Sequence, residues 1–320
     1  MSRLIDNIAD FLVENGFELS FQIRHDFDVI VTRTLDGRHT KVILPLEISA
    51  RTIEEAEAES ENAEYAIRMI TREAGYPLII TEDRWRSQRQ MMEARLLAHL
   101  ELFSQAYARN CEVRRIEKAE AQEFLNRNHS YGDAACKYRY GLFLKRHTGH
   151  IAAEMGFPIG SGMTDEVKNL SEGTLIAVAT FSNARRWLKE GKEIRSYEWT
   201  RYASLPDLRV SGGMGKMLKA FIKEVHPDDI MSYADLEWSE GEVYERLGFE
   251  AETRKEPVTF TIDPLTWERK AIRRSPVKPG MTEEKPGMTE GDNVIPDLIG
   301  DLFFRNFGSR KFRLKLTDYK

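Results

Sequence analysis

Val210-Ser211-Gly212-Gly213-Met214-Gly215-Lys216-Met217-Leu218 is the stretch on which the reading of this chain turns. It follows a strand predicted at 196–202 and opens a helix predicted at 214–225. Closely spaced glycines let backbone N–H groups approach a phosphate, and a helix start adds unpaired donors and partial positive charge. The spacing matches neither the dinucleotide fingerprint Gly-x-Gly-x-x-Gly nor the phosphate loop ending in Gly-Lys-Ser/Thr. A tight turn without a ligand is the competing reading.

Downstream, a strand at 230–234 leads to a helix at 241–247, for which Ser239 and Glu242 have capping-box spacing. Upstream lie strands at 111–116, 138–145 and 174–181 with a helix at 119–127, and a further strand is expected at 257–262. Residues 147–172 show no sustained period and read as an inserted loop or weak hairpin. The first hundred residues form a separate pattern. A helix at 2–14 is followed by strands at 17–23, 27–34 and 40–48, with the turn signal Asp36-Gly37 between the last two. Thr52 and Glu55 cap a helix running to Arg72; a buried strand at 76–81 and a long helix at 87–105 follow. The expected fold class is α/β (α+β). A small mixed α/β domain spans 1–106 and a mixed-sheet domain spans 107–270. Residues 271–320 are expected to be a disordered tail. Lys-Pro-Gly-Met-Thr-Glu recurs there at 278–283 and 285–290, a composition that buries too little apolar surface to offset its ordering entropy.

Length agrees, since 320 residues at roughly 150 per domain give about two domains. Hydrophobic and charged fractions of 41% and 31% exclude collagen-like, coiled-coil and wholly disordered classes. No apolar run approaches the ~18 residues of a membrane span, and residues 1–15 lack a secretory stretch. Two cysteines, Cys111 and Cys136, are too few for a disulfide scaffold or a zinc knuckle, so a reduced, cytoplasmic protein is expected. The net charge of −5 is opposite in sign to that of a typical nucleic-acid binder, although Arg139, Lys145, Arg146, Arg185 and Arg186 form a loose basic cluster.

With Ser232-Tyr233-Ala234-Asp235 and Val243-Tyr244-Glu245-Arg246-Leu247-Gly248-Phe249, the glycine stretch resembles the acyl-CoA-binding half of the GNAT acyltransferase superfamily. Asn128-His129 with Gly132, Gly141-Leu142-Phe143 and residues 176–181 narrow the resemblance to a phage-associated, Mom-like branch. Residues 80–85 and 108–111 resemble the junction to an endonuclease-like first domain in that branch, and the likeness spans roughly residues 76–262. It implies acyl transfer from acetyl-CoA or a related acyl-CoA to an amine, a nucleobase among the acceptors, with DNA as a further partner. The cofactor-binding set it implies is Val210, Gly212, Gly213, Gly215 and Lys216. Val210 departs from the family, which prefers Arg or Gln there. The catalytic set is Asp235 as base, Tyr244 as acid to the leaving thiolate, and His129, a loop histidine whose ordinary pKa suits proton transfer. Asp235, His129 and Tyr244 are expected to meet at the mouth of one cleft.

The first domain invites a nuclease reading. Nucleases of the PD-(D/E)xK class set an acid on one strand and Glu-x-Lys on the next, to hold Mg²⁺ and orient water. Asp28 and Glu47 have such positions, but Ser49 stands where the lysine belongs, so an inactive scaffold is the favoured reading. No His or Cys shows metal-ligand spacing. Cys136 reads as a small buried thiol, and Trp187, Trp199 and Trp238 as core residues before base-stacking ones. The contrasting hypothesis for the whole chain is a DNA-binding or endonuclease-like protein without acyl transfer.

Overall fold

The computed structural model describes residues 3–146, 170–189, 191–272 and 300–318. The chain is a mixed α/β (α+β) structure whose two main sheets differ in construction.

The first sheet has the order β1-β2-β3-β4, from Leu19–Arg24, Phe27–Arg33, Thr40–Leu46 and Leu78–Thr81. Its first two pairs are antiparallel, whereas β3 and β4 run parallel, because the long helix α2 (Ile53–Ala74) returns the chain between them. Strand alternation sorts the side chains. Ile30, Ile43, Leu78 and Ile80 face α1 (Leu4–Glu14) and the helices α3 (Glu82–Ser87) and α4 (Arg89–His99). Val29, Val42, Leu44 and Ile79 face Ala63, Ile67 and Ile70 of α2. The Thr52 hydroxyl caps α2 by accepting from Glu55 N at 3.1 Å. The helix expected over 87–105 stops instead at His99. Glu101 turns left-handed (φ 69°), and Leu102 N bonds back to Leu97 O. The chain then re-enters as a strand, β5 (Ser104–Tyr107), pairing in parallel with β11 (Leu208–Ser211), so the expected boundary at 106 falls within an element of the second unit.

The second sheet is ordered β13-β17-β12-β10-β8-β7-β6, with β9 added on β10. In chain order these are β6 (Cys111–Arg115), β7 (Tyr138–Leu144), β8 (Leu175–Phe181), β9 (Arg185–Lys189), β10 (Lys192–Ser204), β12 (Asp229–Asp235), β13 (Glu250–Lys255) and β17 (Ser309–Lys315). α5 (Lys118–Asn128) covers one face through Ala121 and Leu125 on Val178 and Ala203. α6 (Gly213–Val225) covers the other with Met217, Leu218 and Phe221; the Phe221 ring stacks on Phe181 at 3.9 Å. The one parallel pair, β10 with β12, is registered only at Ser196↔Asp229, Tyr197↔Ile230 and Glu198↔Met231. Beyond these the strands part, while β10 stays bonded to β8 across a bulge at Trp199/Arg201.

The disordered tail expected at 271–320 is corrected for its described end. β17 lies between β12 and β13 in the sheet, paired with β12 from Asp229↔Lys315 to Asp235↔Ser309. Phe312 is fully buried there. β16 (Leu302–Arg305) joins β14 (Thr259–Ile262) and β15 (Arg269–Ala271) in a small sheet packed on α2. Phe303 is buried with Ala50 and Ala56, and Phe307 sits with Ile67 and Ile70 in the first unit's core. The Pro-Gly duplication itself, like most of the 147–172 loop, lies outside the described residues. Apolar groups at 302–312 carry enough burial to fix this end whatever precedes it.

Candidate functional site

A cavity of about 580 Å³ opens on the α5 face, where β10 and β12 diverge. Its walls come from distant parts of the chain: Ala94 and Arg95 of α4, Asn128 to Tyr131 after α5, residues 199–206 along β10, and Tyr233, Asp235 and Trp238. The first unit therefore supplies one wall of a cavity in the second. His129, Tyr131, Tyr233 and Trp238 bring rings to it, beside the charged Arg95, Glu198, Arg201, Lys255 and Glu256. Trp199 and Tyr202 line it as well, with their rings packed on the α6 side.

Asp235 ends β12 and His129 caps α5, and both line this cavity as expected. Tyr131 links them. Its hydroxyl donates to Asp235 Oδ2 at 2.8 Å, and its backbone N–H donates to His129 Nδ1 at 3.1 Å. Asp235 Oδ1 accepts from Glu237 N at 2.9 Å. Burial, then the neighbouring Glu237 carboxylate, pushes the Asp235 pKa up, with Arg84 opposing. A carboxylate raised in this way is a better proton acceptor near neutrality than an ordinary one. His129 behaves differently from the expectation. Burial, then Arg201 and Arg84, lower its pKa to about 4, so it is neutral at pH 7. With Nδ1 accepting a backbone proton, its own proton sits on Nε2, which makes it a donor into the cavity and not a base.

Tyr244 is the clearest correction. Along β12, Ile230 and Ala234 face the α6 core, and Ser232 shares their face by alternation. Ser232 Oγ lies 2.9 Å from Tyr244 Oη, and the Tyr244 ring stacks on Phe312 at 5.2 Å. Asp235 has the opposite parity. Asp235 and Tyr244 thus project to opposite faces of the sheet, and the expected meeting of Asp235, His129 and Tyr244 at one cleft does not occur. Burial pushes the Tyr244 phenol pKa up. Ser232 Oγ is the donor to Tyr244 Oη and also lies 3.0 Å from Trp199 O, which places the phenol at the seam where β10 and β12 part.

The glycine stretch forms a strand-to-helix turn. Gly212, not Gly213 or Gly215, carries the left-handed conformation (φ 77°). A Cβ on Gly213 would meet Val210 Cγ1 at 3.0 Å and Tyr202 Oη at 3.1 Å, and one on Gly215 would meet Leu247 at 3.3 Å. α6 starts without a side-chain cap, which leaves the turn's amides available to an anion. Two members of the expected cofactor set do other work. Val210 belongs to the β5–β11 ladder opposite Ala106. Lys216 Nζ donates to the carbonyls of Ala108 (2.8 Å) and Cys111, tying the β5–β6 connection to the helix.

Behind Asp235 lies a buried charge cluster that sequence reading missed. Arg84 Nε donates to Glu237 Oε2 at 3.1 Å, and Arg269 joins Glu237 Oε1 (2.7 Å) to Asp83. Arg95 donates to the carbonyls of Ile79, Glu237 and Trp238. Tyr131 stands between the His129 and Gly132 of the resemblance, and Arg84 within residues 80–85. Only the tertiary structure shows what they touch.

Asp28 and Glu47 line a second cavity, of about 320 Å³, between β2, β3, α2 and β16. Asp28 pairs with Arg3 at 3.3 Å, Glu47 accepts from Leu4 N at 3.1 Å, and Ser49 donates to Glu59 at 2.7 Å. Among the described residues no cluster of three or more His, Cys, Asp or Glu is arranged to hold a metal ion, and no helix is long and apolar enough to cross a membrane.

No protein-family model matches the sequence, and no curated protein matches it. Among solved structures, one described as the crystal structure of KacTA-DNA complex is similar at 17% identity over 45% of this chain and 86% of that chain, with a TM-score of 0.26. A likeness of that size decides neither fold nor function.

Proposed function

We propose that this protein transfers an acyl group from an acyl-CoA to an amine held in the aromatic cavity. The observation that carries this reading is the parting of β10 and β12 beside a glycine turn that opens α6. Past Glu198 and Met231 the facing strand edges no longer bond to each other, and buried backbone groups need partners. An extended chain bearing amides, such as the pantetheine arm of coenzyme A, offers them, with its pyrophosphate at the start of α6. The acyl carbon then reaches the seam from the α6 face and the amine reaches it from the α5 face.

In that arrangement the amine nitrogen bonds to the acyl carbon and the carbon–sulfur bond breaks. Asp235 takes the amine proton and the thiolate leaves to be protonated. The thiolate takes its proton from solvent; Tyr244, which projects to the opposite face of the sheet from Asp235, carries no step. The aromatic walls suit a flat acceptor, a nucleobase included, and DNA as the molecule that carries it. The endonuclease alternative draws less support, because Asp28 and Glu47 are each engaged by a neighbouring donor.

Titration calorimetry with acetyl-CoA tests the proposal. On Gly215→Val the added Cβ meets the end of the Leu247 side chain at 3.3 Å, a contact relieved by a small shift of that side chain, and the branched group crowds the turn. Circular dichroism checks that the variant is folded. Loss of a charge-assisted hydrogen bond of ~1.5–3 kcal/mol weakens binding about ten- to hundredfold. Unchanged affinity in a folded variant, or no binding by the parent protein, overturns the reading.

A further inference from the structure

The charge cluster behind Asp235 is more than a fastening between the two units. Arg84 belongs to α3 of the first unit, and its side chain is 4% exposed. One arm is clamped through Nε on Glu237, which Arg269 holds from the other side. The second arm, Nη2, is buried without a hydrogen-bond partner and stands 3.6 Å from Asp235 Oδ2. Leaving a buried donor unmatched costs about 1–3 kcal/mol, so a purely structural latch has no reason to present one. The Tyr131 and Trp238 rings flank the guanidinium, with centroids 4.8 and 5.6 Å from Cζ, and keep water from it. The arm aims at the one carboxylate of the cluster that also lines the aromatic cavity.

We propose that Arg84 is a positioning residue for Asp235, through which the first unit favours the ionised form of that carboxylate and orients it toward the cavity. The catalytic part of this rests on the acyl-transfer reading; the electrostatic part does not. The groups around Asp235 act in opposite senses. Arg84 from α3 and Arg95 from α4 favour the carboxylate, as does the Tyr131 hydroxyl that donates to it. Glu237 in the following turn disfavours it, and the Tyr76 phenol beside it is neutral near pH 7. His129 across the cavity is neutral as well. The clamp on Glu237 sets how closely Arg84 can approach Asp235.

The test is a pH titration of the full-length, ligand-free protein labelled with carboxyl-¹³C aspartate, with the Asp235 resonance identified by its loss in Asp235→Asn. Arg84→Met moves the Asp235 midpoint upward by roughly 1 pH unit or more, the effect of removing an opposite charge at this range, and Arg84→Lys restores part of it. Glu237→Gln moves the midpoint downward, because it removes an anion and releases Arg84 toward Asp235. Nearby charge alone gives opposed shifts, so the positioning role is read from Arg84→Lys, which keeps the charge but loses the planar fork clamped on Glu237. Partial restoration supports positioning; full restoration shows that charge alone suffices and overturns it. A midpoint that stays put in folded Arg84→Met, or shifts of one sign in both variants, overturns the proposal. Should Arg84→Met fail to fold, Arg84→Lys and Glu237→Gln carry the comparison. Opposed shifts with only partial restoration, in a protein that does not turn over acetyl-CoA, would leave the positioning role standing and remove the acyl-transfer reading alone.

Discussion

A chain ended at Ile272 is expected to lose cooperative folding altogether. The cut removes β17, an inner strand bonded on both edges, so β12 loses its partners from Asp229 to Asp235 and β13 loses the strand it lies on. It also removes Phe312 from beneath Tyr244, and Phe303 and Phe307 from the packing on α2. The second sheet cannot close by sliding β13 onto β12. Gly241 lies against the Phe312 ring with no room for a Cβ, so the turn after β12 is shaped around that ring. The milder change Phe312→Ala isolates one contribution. Deleting a fully buried phenylalanine costs about 3–5 kcal/mol, a large share of the ~5–15 kcal/mol by which a domain is stable. Thermal or urea unfolding of both variants measures the effect. A truncated chain that melts like the parent would return the last residues to the status of a dispensable tail.

That expectation reverses the one drawn from composition, and the reason is local. The duplicated Lys-Pro-Gly-Met-Thr-Glu colours the whole last fifty residues as unable to fold. Yet Leu302, Phe303, Phe304, Phe307 and Phe312 follow it by 12 to 22 residues and belong to cores built by residues about 30 to 280 positions earlier. Nothing in a linear window identifies those partners. The first sheet was legible because its signals are local: alternation at Val29-Ile30, a helical period at Leu4, Ile5, Ile8 and Phe11, and a capping threonine at Thr52. Where tertiary contacts outrank propensity, the linear reading fails. Residues 100–105 continue a helical composition but turn at Glu101 to supply β5 to a distant strand. Ser239 and Glu242 have capping-box spacing, yet α7 (Glu242–Arg246) begins at Gly241, and Ser239 accepts only from Gly241 N at 3.3 Å. The site was legible in part. Asp235 and His129 share a cavity because β12 and the helix α5 that covers the sheet both end at its opening. The parity that separates Asp235 from Tyr244 could have been counted from Ser232, but only once the partner of Tyr244 was known.

Arg269→Met is expected to destabilise the protein by about 3–5 kcal/mol, the usual penalty for breaking a buried ion pair from one side. Arg269 neutralises Glu237 and Asp83, whose side chains are 2% and 1% exposed, and it donates to Thr81 Oγ1 at 2.9 Å. Methionine fills much of the same volume, so the loss is electrostatic and not a cavity effect. The acid limb of stability distinguishes this from general damage. Burial raises the Glu237 pKa, but Arg269 and then Arg84 more than offset it and hold it at about 2, against 4.5 for the free side chain. A depressed carboxylate stabilises the fold fully above pH 4.5, and that contribution is lost as pH falls from there through 2. The difference corresponds to roughly 3 kcal/mol at ~1.4 kcal/mol per pH unit. Asp235 runs the other way: its raised pKa makes protonation favour the folded state as pH falls, which partly masks the Glu237 effect. Urea midpoints measured from pH 7 to pH 2.5 should therefore fall less steeply in Arg269→Met than in the parent, because Glu237 has lost the larger cation that holds it ionised. Parallel curves displaced by a constant amount would show that Arg269 acts through packing and not by holding Glu237 ionised.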